Sequence, residues 1–427
     1  MKKKEELISK DPELIKKVEG ICKDKIPFKH IQAMDYPRMA GTEGEKAGSK
    51  YIETKFEEYG FSVNVEAFYI PESSKIIRLL APIFFFIWCI FSYVNAVYIS
   101  GVFGLIVTFF ILLVPVFLFI AILKIDVIFK KMITRNYQKI QDITKQIEKG
   151  IYKKPIKKVK NIYVEYIPED FEEHLYLTAH YDSTTLKFNL KAVKLCMFFG
   201  MFTGIIYILG YLIHFLLLLF NGFNLIGTYL IIFMIILIIF LVSIEFVLFG
   251  MIFRTNKSHG AIDNLTGTAL VLELARIAKI LQPKLKITFI VFSSEEIGLM
   301  GSAYHYNTHK KYFKSHNMKV ISIDMIGEIP PLTLIEQIGP FSGIPMDPEF
   351  NRQLMELGQK LGIKTKFRKF FYPASDFANW FLNGYRANWI MTPSKYLHSS
   401  QDVALNVNQD LLNDCLKLFT AYLLINS

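Results

Sequence analysis

Runs of apolar residues of two kinds alternate along this chain, and they predict two kinds of structure. Short apolar runs with polar ends read as strands: SVNVEAFYI from Ser62, HLYLTAHYDS from His174, KITFIVFSSEE from Lys286, KVISIDMIG from Lys319 and YRANWIMT from Tyr385. Between them lie stretches with apolar residues at helical spacing: Gly44–Tyr59, ending at Gly60; NLTGTALVLELARIAKIL, with Asn264 or Thr266 near its start; and EFNRQLMELGQKLG. Strands alternating with helices predict an α/β domain with a doubly wound sheet.

The second kind of run is longer. Residues 79–99, 101–123, 195–220 and 225–253 are each apolar over the roughly 20 residues a bilayer crossing requires. Their inner connectors are short and uncharged, so the pattern predicts two helical hairpins. Every outer flank is basic: Lys75 and Arg78, Lys124 and Lys130, Lys191 and Lys194, Arg254 and Lys257. The positive-inside rule then predicts a four-span, multi-pass membrane protein with its polar domain on the cytoplasmic side. His214 and Glu245 fall within the third and fourth runs and are candidate functional groups there.

The expected segmentation is an N-terminal part of the catalytic domain (1–75), a first hairpin (76–124), a basic juxtamembrane segment (125–160), domain residues 161–191, a second hairpin (192–254) and the remainder of the domain (255–427).

Composition sharpens this picture. The 427 residues are 52% hydrophobic, and the mean hydropathy is +0.31, yet 20% are charged, a balance that suits a part-globular, part-lipid protein. Net charge is +11, with twelve Lys/Arg against three Asp/Glu between Lys124 and Lys160. Directly after a predicted span, that cluster reads as a segment facing anionic lipid head groups rather than as a nucleic-acid site. The N-terminus is basic, but no apolar stretch of signal-peptide type follows it. Cys22, Cys89, Cys196 and Cys415 form no CxxC pair, so neither a disulfide framework nor a thiolate metal site is indicated, in keeping with a reducing compartment.

Chemistry concentrates at strand ends, where open α/β sheets bind ligands. His180 and Asp182 close one strand, Glu295 and Glu296 another, and Asp324 a third; Asp263 precedes a helix, and His398 lies in the loop after the strand at Trp389. Acidic and imidazole groups converging on one edge repel one another without a cation, and zinc accepts both donor types. Two metals bridged by a carboxylate make a hydrolytic site, with an unligated Glu as base. His30, His174, His259, His305, His309 and His316 are set aside, because a lone buried histidine is more often a core residue or a support for a ligand than a ligand itself.

The pieces PRMAGTEGEKAGSKYIETKFEEYGF, LTAHYDS, GAIDNLTGTALVLELAR, VFSSEEIGLMGS, ISIDMIG, PASDFANWFLNGYRANWI and LHSSQD resemble, in order, the two-zinc leucyl-aminopeptidase-like metallopeptidase family, which includes glutamate carboxypeptidase, glutaminyl cyclase and transferrin receptor. The resemblance implies a phosphorylase/hydrolase-like α/β/α sandwich, here a zinc-peptidase domain interrupted by two transmembrane hairpins. It implies that His180 and Asp324 hold one zinc, Glu296 and His398 the other, that Asp263 bridges them, that Glu295 is the general base, and that Asp182 orients His180. Tyr372, Ser375 and Asp376 are implied as substrate contacts; Phe377 stands where the family usually has His. His180 and Asp263 are 83 positions apart, farther than in the family, with the second apolar pair between them. The expected function is aminopeptidase action on peptides, including hydrophobic or membrane-proximal ones, with two zinc ions or another divalent metal. A glutaminyl-cyclase-like enzyme and a non-catalytic membrane receptor or scaffold are the alternatives.

Overall fold

The computed structural model describes residues 10–22, 26–71, 123–153, 156–187, 190–219, 254–340 and 343–427, with isolated positions between 87 and 120 and between 235 and 243. The chain divides into two compact units, one of Met1–Glu72, Ile125–Thr185 and Asn256–Ser427, the other of Ser73–Lys124 and Leu186–Thr255.

In the first unit the helices are α1 (Pro12–Ile21), α2 (Ile26–Ala33), α3 (Glu43–Glu58) and α4 (Ile125–Glu148), followed after the second unit by α6 (Thr266–Leu281), α7 (Met300–Ser315), α8 (Pro348–Leu361), α9 (Ala378–Phe381) and α10 (Gln409–Ile425). The strands are β1 (Asn64–Pro71), β2 (Ile156–Tyr166), β3 (His174–His180), β6 (Lys286–Phe292), β7 (Met318–Ile323), β8 (Leu332–Ile338), β9 (Ile344–Pro345), β10 (Thr365–Phe370) and β11 (Arg386–Met391); β4 (Thr185–Leu186) and β5 (Arg254–Thr255) are two-residue strands flanking α5 (Leu190–Leu219).

One sheet runs β1-β2-β6-β3-β7-β11-β8-β10, with β9 on β8. Its centre, β6-β3-β7-β11, is parallel. Every residue of β3, β6 and β7 is buried, the expected state of parallel strands covered on both faces. Side chains alternate between the faces. Leu175, Leu177, Ala179, Ile287, Phe289, Val291 and Ile321 join the core of α6 and α10, whereas Tyr176, Ile290, Phe292 and Val320 meet Tyr306 and Phe313 of α7 and Trp380 of α9. This is a three-layer α/β/α sandwich.

Helix ends follow local chemistry. Thr42 caps α3 by accepting from the Glu45 amide at 3.4 Å, and Asp347, before Pro348, caps α8 through Phe350 N at 3.2 Å. The first turn of α6 is pressed against the end of β7. A Cβ on Gly267 would lie 2.1 Å from the Ile323 carbonyl oxygen and 2.4 Å from the Asn264 amide oxygen. Gly267→Ala is therefore expected to destabilise the fold by about 1–3 kcal/mol, read as a lowered thermal midpoint; an unchanged midpoint would show that this contact has room to relax.

The segment 124–160 is structural as well as basic. In α4, Ile133, Ile140 and Ile143 are buried on one stripe while its lysines face outward, and residues 156–160 open β2, where Lys160 pairs with Glu53.

The expectation of a four-span, multi-pass membrane protein with a cytoplasmic catalytic face is corrected. Among the described residues, no helix is long and apolar enough to cross a membrane. An apolar run states only that its side chains avoid water; a span also requires one continuous helix of sufficient length. Of the four runs, 79–99, 101–123 and 225–253 lie, apart from isolated positions, outside the described residues, as do Glu245 and the side chain of His214; the third run is helical in α5, with only part of its side chains described.

Candidate metal centre

Four parallel strands deliver the site at their carboxyl ends. His180 is the last residue of β3, and Thr268 Oγ1, from α6, donates to its carbonyl oxygen at 2.8 Å. Its Nδ1 faces the Asp182 carbonyl oxygen at 3.2 Å and the Asp182 carboxylate at 3.6 Å, leaving Nε2 aimed at the centre. The Asp182 carboxylate also accepts from the backbone amides of Glu295 (3.0 Å) and Glu296 (3.3 Å), so one buried side chain fixes both the imidazole and the loop after β6. Asp324 follows β7, its amide donating to the Ile390 carbonyl at 3.1 Å.

Asp263 lies in a one-turn segment, Ala261–Leu265, that leads into α6. Asp402 holds this segment. Its carboxylate accepts from Ile262 N at 2.6 Å and from Asp263 N at 3.2 Å. His398 comes from the loop after β11 and adopts φ +53°. Ser294 and Met325, beside the loops of Glu295 and Asp324, also have positive φ. Among the described residues such conformations at non-glycine positions number five, and three of them flank this site, where surrounding contacts must hold them against their intrinsic cost.

The side chains converge. His180 Nε2 lies 3.3 Å from Asp263 Oδ1, 3.6 Å from Asp324 Oδ1 and 3.8 Å from Glu295 Oε2. His398 Nε2 lies 3.2 Å from Asp263 Oδ2 and 3.0 Å from Glu296 Oε2. The two oxygens of Asp263 thus face the two imidazoles separately. His180, Glu295 and Asp324 form one group of ligand atoms within 4.8 Å of one another, and Asp263, Glu296 and His398 form a second.

Electrostatics follows from burial and crowding. Burial opposes charge on His180, but Glu295, Asp182, Asp263 and Asp324 outweigh it and hold the imidazole well above its ordinary range. Burial likewise opposes charge on His398, and Glu296 and Asp263 push it up to about 10. Burial raises Glu295 well above a normal carboxyl; His180 opposes this, and Glu296, Asp376 and Asp324 reinforce it. Asp263 is held below the usual range by His180 and His398 in spite of burial. The cluster demands positive charge at its centre. A divalent pair meets that demand, and the donors fit zinc: imidazole and carboxylate, with His180 Nε2 and Asp324 Oδ1 buried without hydrogen-bond partners.

The three expected substrate contacts separate. Tyr372 is 41% exposed, stacks on Phe129 of α4 with centroids 5.5 Å apart, and is raised by burial and by Glu295. Ser375 is buried, 2.7 Å from Ser322 Oγ of β7. Asp376 is fully buried and pushed up to about 8 by burial, against the pull of His180 and with Asp324 adding to it. Asp402 is missing from the sequence reading, although the piece LHSSQD that supplies His398 contains it. The fully buried Arg38 is missing too; it donates to the Tyr181 carbonyl at 2.8 Å and the Gly260 carbonyl at 3.2 Å, tying together the loops that carry Asp182 and Asp263.

The model of peptidase family M28 matches residues 247–423. The aminopeptidase YwaD of Bacillus subtilis (strain 168) is 42% identical over 72 residues, 16% of this chain and 15% of that protein. A probable zinc metalloprotease of Pyrenophora teres f. teres (strain 0-1) is 42% identical over 73 residues, 17% of this chain and 15% of that protein. The matched segment thus spans 15% of the length of each of these relatives. The aminopeptidase from Aneurinibacillus sp. strain AM-1 superposes with a TM-score of 0.52 at 13% identity, covering 95% of this chain and 94% of that one, a likeness of fold. Residues 247–423, which carry Asp263, Glu295, Glu296, Asp324 and His398, are thus similar to peptidase family M28.

Proposed function

We propose that this chain is a zinc aminopeptidase with Glu295 as general base. The observation that carries the reading is the division of the Asp263 carboxylate, one oxygen towards His180 and the other towards His398, with Glu295 beside it. His180 and Asp324 would hold one zinc, Glu296 and His398 the other, and Asp263 both. Asp263 Oδ1 is nearer to His180 Nε2 than Glu295 Oε2 is, 3.3 against 3.8 Å, which supports Asp263 as the shared ligand and Glu295 for proton transfer. Zinc bound there supplies Lewis-acid polarisation of the scissile carbonyl and acidifies water.

Glu295 accepts a proton as water adds to the carbonyl carbon and returns it to the amine nitrogen as the C–N bond breaks. A carboxyl raised by burial and by like charges is suited to both roles. Asp182 keeps His180 in the tautomer that presents Nε2 inward. Tyr372 and the stacked Phe129 offer an apolar contact for the substrate side chain, which favours hydrophobic N-terminal residues. The names of the B. subtilis and Aneurinibacillus proteins support the choice of aminopeptidase within the family.

The test is hydrolysis of two matched peptides, one with a free N-terminus and one acetylated, by purified zinc-loaded protein. Cleavage of the free peptide alone is expected. Cleavage of both indicates an endo- or carboxypeptidase, and cleavage of neither by metal-loaded protein favours a cyclase or a non-catalytic scaffold.

Asp402 provides a second check. Asn at this position turns an NH2 group towards one of the two backbone amides it now accepts from, and Asp263 loses its fixed orientation. Asp402→Asn is expected to weaken zinc binding about 10–100-fold in chelator competition; wild-type affinity would remove Asp402 from the metal centre.

A further inference from the structure

We propose that Glu66, His305 and His309 form a further zinc site, separate from the Asp263 centre, that fastens the edge strand β1 to α7. His305 and His309 are one helical turn apart and project from the same side of α7. Their rings lie side by side, centroids 4.5 Å apart. Glu66 reaches them from β1, its carboxylate 2.9 Å from His305 Nδ1 and 2.6 Å from His309 Nε2. One ligand atom from each residue lies within 4.8 Å of the others. Two imidazoles at i and i+4 on a helix with a carboxylate from elsewhere is a zinc donor set, and it leaves a fourth position for water.

Two further observations point to a ligand. His305 is buried, and its Nε2 has no hydrogen-bond partner. The ring is surrounded by Phe292, Phe313 and Trp380, centroids 5.9–6.2 Å away. With Nε2 unpartnered, the polar contacts of this ring lie on its Nδ1 side, where a metal would take Nδ1 together with the Glu66 carboxylate and His309 Nε2. Secondly, the carboxylate is oriented from outside. Asn161, paired with Glu66 across the β1–β2 ladder, donates to its Oε2 at 3.2 Å and to the Gly301 carbonyl at 2.9 Å. The Asn161 amide oxygen also accepts from Ser293 N at 3.3 Å, which links this cluster to the loop that carries Glu295. His309 is 33% exposed, so the metal can enter from solvent.

The test is metal content by elemental analysis of the full-length protein after dialysis against zinc-buffered solution. Wild type, His309→Ala and Glu66→Gln are compared, with folding followed by circular dichroism. Each variant is expected to lose one equivalent of zinc while hydrolysis of the free-amine peptide stays within about twofold of wild type. The added zinc is also expected to raise the thermal midpoint less in the variants than in wild type. Equal zinc content in all three proteins overturns the site. Because the readout is a difference in metal content between folded proteins, it stands even if none of them cleaves peptides.

Discussion

Glu295→Gln lowers kcat on a free-amine peptide by about 10²–10⁴-fold and leaves bound zinc at the wild-type level. The expectation follows from what the substitution keeps. Gln has nearly the shape of Glu, and the contact that fixes this position is made by the backbone amide, which donates to Asp182 whatever the side chain is. What it loses is the capacity to take a proton from water and return it to the leaving amine. A thousandfold loss is about 4 kcal/mol of transition-state stabilisation, the scale of one positioned acid–base group. Because Glu295 also balances charge around His180, its removal is expected to make that imidazole easier to deprotonate in the metal-free protein, without removing a ligand. Glu296→Gln is the control. It changes a carboxylate 3.0 Å from His398, so zinc content and turnover should fall together. Activity of Glu295→Gln within tenfold of wild type would end the general-base assignment.

The parts of this molecule that were legible in the sequence are those where periodicity and chemistry coincide. The strands β3, β6 and β7 are apolar runs that end in polar residues, and those ends are the site. Other elements were hidden by their own composition. In β2, lysines at positions 157, 158 and 160 mask a strand whose Val159 is buried on one face and Ile162 and Val164 on the other. The charge was visible, and it drew the reading towards a lipid surface. The buried stripe of α4 was equally present in the sequence, but three isoleucines among lysines make a weak signal. The long apolar runs mislead in the opposite direction: hydropathy alone does not establish a spanning helix, and among the described residues none is long and apolar enough. Asp402 was concealed because it acts on backbone amides, a role that no side-chain pattern announces. His305 and His309 carry the right helical spacing, but their partner Glu66 is 239 positions before His305, and only the fold brings it close.

Asp263→Ala is expected to remove at least one equivalent of zinc relative to wild type and to lower turnover on the order of 10⁴-fold or more. Among the described residues, no other side chain faces both imidazoles: Oδ1 is 3.3 Å from His180 and Oδ2 3.2 Å from His398. Without it, the remaining donors form two incomplete sets, His180 with Asp324 and His398 with Glu296. Elemental analysis and peptide hydrolysis on the same preparation read both effects, and the smaller gain in thermal midpoint on adding zinc gives a third measure. This variant also decides between Asp263 and Glu295 as the shared ligand, since Glu295 too lies within reach of His180. If Asp263 is shared, Asp263→Ala loses metal and Glu295→Gln keeps it. If Glu295 is shared, the pattern reverses, and the proton-transfer role passes to another carboxyl; Asp376, buried beside Glu295 and pushed up to about 8, is then the first to test.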